Sequence, residues 1–159
     1  MDWIPLLSTL TGAGIGITAT LLADRNRWRR EESRYALELR REVYTEFVSA
    51  LKAAGEEIRA VALGDHMSGS ARDAAVREAV RSTGIYTASE RLWLVGPPQV
   101  VDAGNQAFHS LRTIRDAYAR GVAVDSAEAA PLVAQRRAAM GRMRSLMRED
   151  LGIAPLGIE

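Results

Sequence analysis

The chain contains no cysteine. That single absence excludes disulfides, thiolate metal sites and a cysteine nucleophile. Imidazole is almost as scarce, with His66 and His109 the whole supply. Neither has a histidine four residues away, so H-E-x-x-H and related zinc spacings do not occur. Glu-x-x-His pairs of the di-iron type, a G-x-S-x-G elbow and a Walker loop are also missing. The carboxylate pairs Glu31-Glu32, Glu56-Glu57 and Glu149-Asp150 are sequence neighbours. On a helix, neighbours point about 100° apart, so these pairs do not converge on one reacting atom. No catalytic residue, metal or cofactor is therefore expected, and the chain does not read as an enzyme. Lysine is reduced to Lys52 among 21 basic residues, and the net charge is only +1 over 159 residues. The average charge points to no nucleic-acid partner, and its local distribution carries more information.

Charge is also lacking at the front. The 21 residues from Trp3 to Ala23 carry none, and Arg25, Arg27, Arg29 and Arg30 follow at once. As a helix this run reaches roughly 31 Å, the thickness of a bilayer's hydrocarbon core. Its polar side chains are Ser8, Thr9, Thr11, Thr18 and Thr20, whose hydroxyls can bond back to helix carbonyls. Pro5 falls in the first turn, where its missing N–H does least harm. Trp3 and Trp28 flank the segment as interfacial aromatics do, and the arginines crowd one end only. The pattern predicts an uncleaved single-pass span with the N-terminus outside and the rest cytoplasmic, at a bacterial inner membrane. A cleavable signal would place its positive charge before the apolar core instead.

Gly12-Ala13-Gly14-Ile15-Gly16 superficially suggests a dinucleotide loop. Ile17 stands where the third glycine of G-x-G-x-x-G is required, and no βαβ pattern surrounds it. In a membrane helix, Gly12 and Gly16 instead form a G-x-x-x-G pair that lets two backbones approach, so homo-oligomerisation through this face is an expectation.

Beyond the arginines, Trp28, Tyr35, Leu39, Val43, Phe47, Leu51, Ala54, Ile58 and Val61 recur at helical spacing. They predict one amphipathic helix of about 40 residues that tolerates Gly55. The segment from Gly64 to Ser70 is a break, and Ser70 with Asp73 suggests a capping box. A second helix is expected to about Leu94, burying Val76, Val80, Ile85, Ala88 and Leu92, with Ser82-Thr83-Gly84 a point of weakness. Gly96-Pro97-Pro98 ends it and starts a third helix carrying Val101, Gly104, Phe108, Leu111, Ile114 and Tyr118. A fourth, capped by Asp125 or Ser126 but with Pro131 placing its regular part a few residues later, turns Leu132, Met140, Met143, Met147 and Leu151 inward. Arg136, Arg137, Arg142, Arg144 and Arg148 make this last helix locally basic, which reads first as a solvated face.

The expected fold is all-α: a transmembrane helix continuing into a long amphipathic helix, packed with three further helices as an antiparallel bundle. Residues 1–23 would be the anchor, 24–151 the cytoplasmic bundle and 152–159 a tail.

The stretches Leu22-Ala23-Asp24-Arg25, Trp28-Arg29-Arg30 and Arg40-Arg41-Glu42-Val43-Tyr44-Thr45-Glu46-Phe47 resemble small uncharacterised actinobacterial membrane-anchored helical proteins. Those proteins share an apolar N-terminal segment, an arginine-rich boundary and an R-R-x-x-Y-x-x-F helix. Leu92 to Pro98 is similar to their helix-breaking segment. The resemblance implies a membrane anchor and a bacterial source, and it implies no activity.

The expected function is a non-enzymatic membrane scaffold or protein-interaction module. Its expected partners are membrane lipid and a protein of unknown identity. The alternative is a soluble helical bundle in which residues 3–23 pack in a core or oligomer interface. On that alternative the arginine-rich helix could contact nucleic acid.

Overall fold

The computed structural model describes residues 4–64 and 69–154, with side chains at Trp28 and from Glu31 onward. Among these residues every regular element is a helix: α1 (Ile4–Leu63), α2 (Gly69–Ser82), α3 (Ile85–Val95), α4 (Pro98–Ala119) and α5 (Ala129–Asp150). The chain divides into two units, Met1–Glu38 and Leu39–Glu159, and the core described below belongs to the second.

That core follows the helical spacing of the sequence from Leu39 onward. Val43, Phe47, Leu51, Ala54 and Ile58 of α1 are buried, with Val76 and Val80 of α2 and Ile85, Ala88 and Leu92 of α3. Leu111, Ile114 and Tyr118 of α4 and Met140, Met143 and Met147 of α5 complete it. The methionines are core filling, which suits an unbranched, adaptable side chain between converging helices. Two expected core residues are not in it: Trp28 is 73% exposed and Tyr35 70% exposed. α5 ends at Asp150, which pairs with Arg40, and every residue from 31 to 38 is exposed.

Five helices stand where four are expected, because the second is cut in two. Gly84 adopts φ 69°, a left-handed conformation that a Cβ disfavours. Just before it, the Ser82 hydroxyl donates to the Ala79 carbonyl at 3.2 Å and that of Thr83 to Val80 at 2.9 Å. These bonds satisfy carbonyls that a continuing helix would have used. The two pieces nevertheless share one direction. Arg72 reaches Gly121 and Ala79 precedes the break, while Leu92 lies against Gly104, Trp93 Nε1 donates to Asn105 at 3.3 Å, and Tyr86 meets Phe108 edge-on. With Asp116 acting on Arg77 of α2, the contacts step back along α4 from its C-terminal end at α2 to Gly104 at Leu92, so both run antiparallel to it.

The α1–α5 seam is antiparallel by the same logic: Arg40 meets Asp150, Leu51 meets Arg136, and Arg59 meets Asp125 just ahead of α5. α4 closes in a Schellman motif, with Val122 N–H donating to Ala117 C=O at 3.1 Å and Gly121 N–H to Tyr118 C=O at 3.0 Å. The positive φ of 93° at Gly121 makes this possible. Of the two expected helix caps, the one at Ser70 does not form and the one at Ser126 does. α2 begins at Gly69, ahead of Ser70, and Asp73 accepts from Arg77 Nε at 3.0 Å instead of turning back. Ser126 Oγ accepts from Ala129 N–H at 3.2 Å and lies three residues ahead of the start of α5.

Candidate functional site

The boundary residues singled out by sequence, Trp3, Arg25, Arg27, Arg29 and Arg30, and the pair Gly12 and Gly16, lie outside the residues whose side chains are described. Among the described residues, no helix is long and apolar enough to cross a membrane. His66 is likewise outside them, and His109 is exposed on α4. No group of three His, Asp or Glu side chains converges among the described residues.

What the bundle does bring together is charge from distant parts of the chain. At one end of the seam, Asp150 accepts from Tyr44 Oη at 2.7 Å and from Arg40 Nη1 at 3.2 Å. Burial, then the hydrogen bond and negative charge of Asp150, push the Tyr44 phenol well above its ordinary range, with Arg40 opposing. On the α3 side, Arg91 bridges Glu42 at 3.1 Å and also pairs with Glu46. These contacts anchor α3 and α5 to α1. Because Arg91 and its partners are more than a third exposed, water screens them strongly.

Further along the seam, α1 and α5 line an open cleft of about 320 Å³. The α1 wall is Lys52, Gly55, Glu56 and Arg59, spaced i, i+3, i+4, i+7 on one helical face. The α5 wall repeats the spacing with Val133, Arg136, Arg137, Met140 and Arg144. Five cations therefore face one carboxylate, with Val133 and Met140 supplying the apolar part.

Arg136 is unlike the other four. Its Nη2 donates to the Leu51 carbonyl at 3.1 Å, and its Nε is buried without a hydrogen-bond partner. The guanidinium rests directly on the backbone at Gly55: a Cβ there would come within 2.7 Å of Cζ and 2.8 Å of Nη1. Burial, followed by repulsion from Arg144, holds this guanidinium below the usual arginine range, with Glu56 partly offsetting both. Lys52, Arg59, Arg137 and Arg144 are exposed around it. The arrangement presents one partly desolvated donor below a rim of exposed cations, which suits recognition of an anion and supplies no acid–base pair.

The arginine run of the last helix thus separates by face. Arg136, Arg137 and Arg144 line the cleft, Arg142 lies outside it, and Arg148 donates to the Ala154 carbonyl from Nη2 at 2.7 Å. Sequence reasoning treated Gly55 as merely tolerated and missed its pairing with Arg136. The available signal was a glycine, at a cost of about 1 kcal/mol in a helix interior, on the same face as Lys52 and Arg59.

The geometry defines an all-helical bundle with an interrupted second helix and a basic cleft along its α1–α5 seam. No protein-family model matches the chain, and comparison with curated proteins and with solved structures returns no match.

Proposed function

We propose that the protein is a single-pass bacterial inner-membrane protein whose helical bundle is a cytoplasmic scaffold or protein-interaction module without catalytic activity. The observation that carries this reading is the uncharged run from Trp3 to Ala23, followed within seven residues by four arginines. α1 begins at Ile4, within this run, and ends at Leu63. The resemblance to small actinobacterial anchored proteins supports the same location.

The interaction role draws on α3. Its inner side is buried, yet Trp93 is 60% exposed and Leu94 84% exposed, with Tyr86 two turns away from Trp93 on the same stripe. Large apolar side chains grouped on one short helix are typical of partner-contacting surfaces.

Carbonate extraction of membranes tests the anchor. The full-length chain should stay in the pellet, and its release into the supernatant refutes a membrane span. Affinity capture from detergent-solubilised membranes tests the interaction role. The Trp93→Asp, Leu94→Asp double variant should lose a partner that the native chain retains, and an unchanged set of captured proteins removes α3 from the account.

A further inference from the structure

We propose that the cleft between α1 and α5 is a binding site for a compact phosphate-bearing anion, with Arg136 as the floor donor and Lys52, Arg137 and Arg144 closing over it. This stands apart from the membrane reading, because every residue in it lies in the unit Leu39–Glu159.

The first argument is the cost of the arrangement in the absence of an anion. A helix interior accepts alanine more readily than glycine, yet Gly55 sits inside α1, about two turns before its end at Leu63. A side chain there would collide with the Arg136 guanidinium, so this glycine makes the seat for that arginine. Arg136 in turn is partly desolvated, repelled by Arg144 and left with an unpartnered Nε. An apolar residue at 136 would satisfy packing with none of those penalties. A bound anion reverses the balance, because a guanidinium out of water attracts a charged acceptor more strongly than one in water.

The second argument is charge and size together. Five cations face Glu56, and Asp125 sits 3.8 Å from Arg59 at the edge of the cleft. That surplus calls for more than one negative charge. Guanidinium forks match phosphate oxygens in pairs, so a phosphate group uses several of them at once. The volume of about 320 Å³ is at the small end of ligand sites, which run from about 300 to 1,000 Å³. Glu56 and Asp125 interrupt the basic surface, so it offers no continuous track for a nucleic-acid backbone. The same phosphate chemistry is carried by a free phosphorylated metabolite or by a lipid headgroup.

The full-length chain in neutral detergent provides the test, at fixed ionic strength. One arm titrates inorganic pyrophosphate, the other dihexanoyl phosphatidic acid, each followed by calorimetry and by the thermal midpoint. Binding should weaken on the order of tenfold in Gly55→Ala and in Arg136→Met, since each removes the floor donor from its seat. Arg144→Gln, on the exposed rim, should weaken it severalfold without touching the core. Arg142→Gln, outside the cleft, should change nothing. A response to pyrophosphate with this pattern identifies a free phosphate ligand. A response to the lipid alone with this pattern identifies a headgroup. Absence of binding in both arms overturns the proposal. Binding that Gly55→Ala, Arg136→Met and Arg144→Gln leave intact, or that Arg142→Gln weakens equally, overturns it too.

Discussion

Replacing Arg136 by methionine should make the protein more stable. The native arginine offers the fold one hydrogen bond, from Nη2 to the Leu51 carbonyl at 3.1 Å. A hydrogen bond of that charged type contributes about 1.5–3 kcal/mol. Against it stand a partly desolvated positive charge, the nearby charge of Arg144 and a buried Nε with no acceptor. An unsatisfied buried donor alone costs about 1–3 kcal/mol, and the desolvated charge adds to it. Methionine keeps the reach of the arginine stem over Gly55 while removing both penalties. A net gain of about 1 kcal/mol follows. In urea unfolding followed by helical circular dichroism, with a slope of about 1.5 kcal/mol per molar, the midpoint should rise by roughly 0.6 M. The gain should not vary between pH 5 and 9. The folded-state pKa of Arg136 is depressed, so the penalty is fully present below that pKa and is relieved only in strong alkali. A midpoint that falls by more than about 0.5 M would refute the reasoning and make Arg136 a net cross-link between α1 and α5.

Gly104→Ala should destabilise by about 1–3 kcal/mol in the same assay, because its Cβ would lie 2.6 Å from Leu92 Cδ2 and 3.4 Å from Phe47 Cε1. Unchanged stability would mean that α3 and α4 separate without cost. Gly84→Ala meets no atom within 4 Å, so its cost is confined to the backbone at φ 69° and should be about 1 kcal/mol. Asparagine at 84 should recover part of that loss, and equal melting of the two variants would discount the conformational argument. Tyr44 has its folded pKa raised, so the stability linked to its proton is intact below pH 10 and declines as pH rises above it. Native protein should lose up to about 1.4 kcal/mol per pH unit more than Tyr44→Phe between pH 10 and 11.5, and parallel alkaline curves would contradict this.

The bundle was legible in the sequence where burial depends on a helix's own periodicity. Val43 to Ile58, Val76 to Leu92 and Met140 to Met147 all read correctly because steps of three and four select one face. Periodicity does not say whether a face is covered, so Trp28 and Tyr35 continue the apolar stripe in sequence although both are exposed. The weakness at Ser82-Thr83-Gly84 was visible, but whether a glycine bends a helix or divides it depends on its φ and on hydroxyls free to cap the last turn. The basic cleft was legible only in pieces. Lys52 and Arg136 are 84 residues apart in sequence, and nothing local assigns an arginine to a floor instead of a solvated face.

The antiparallel α1–α5 seam also sets the order in which the bundle can be completed. Arg40 and Asp150 are 110 residues apart in sequence, so the helix made first waits for the helix made last. At a synthesis rate of about 5–20 residues per second that interval is roughly 5–20 s. Throughout it Arg40 and Tyr44 lack Asp150, and the Leu51 carbonyl lacks Arg136, the partners that α5 supplies. The nascent chain is thus most vulnerable to proteases and to self-association in its own first helix. Ribosomes stalled before codon 129 would hold it in that state.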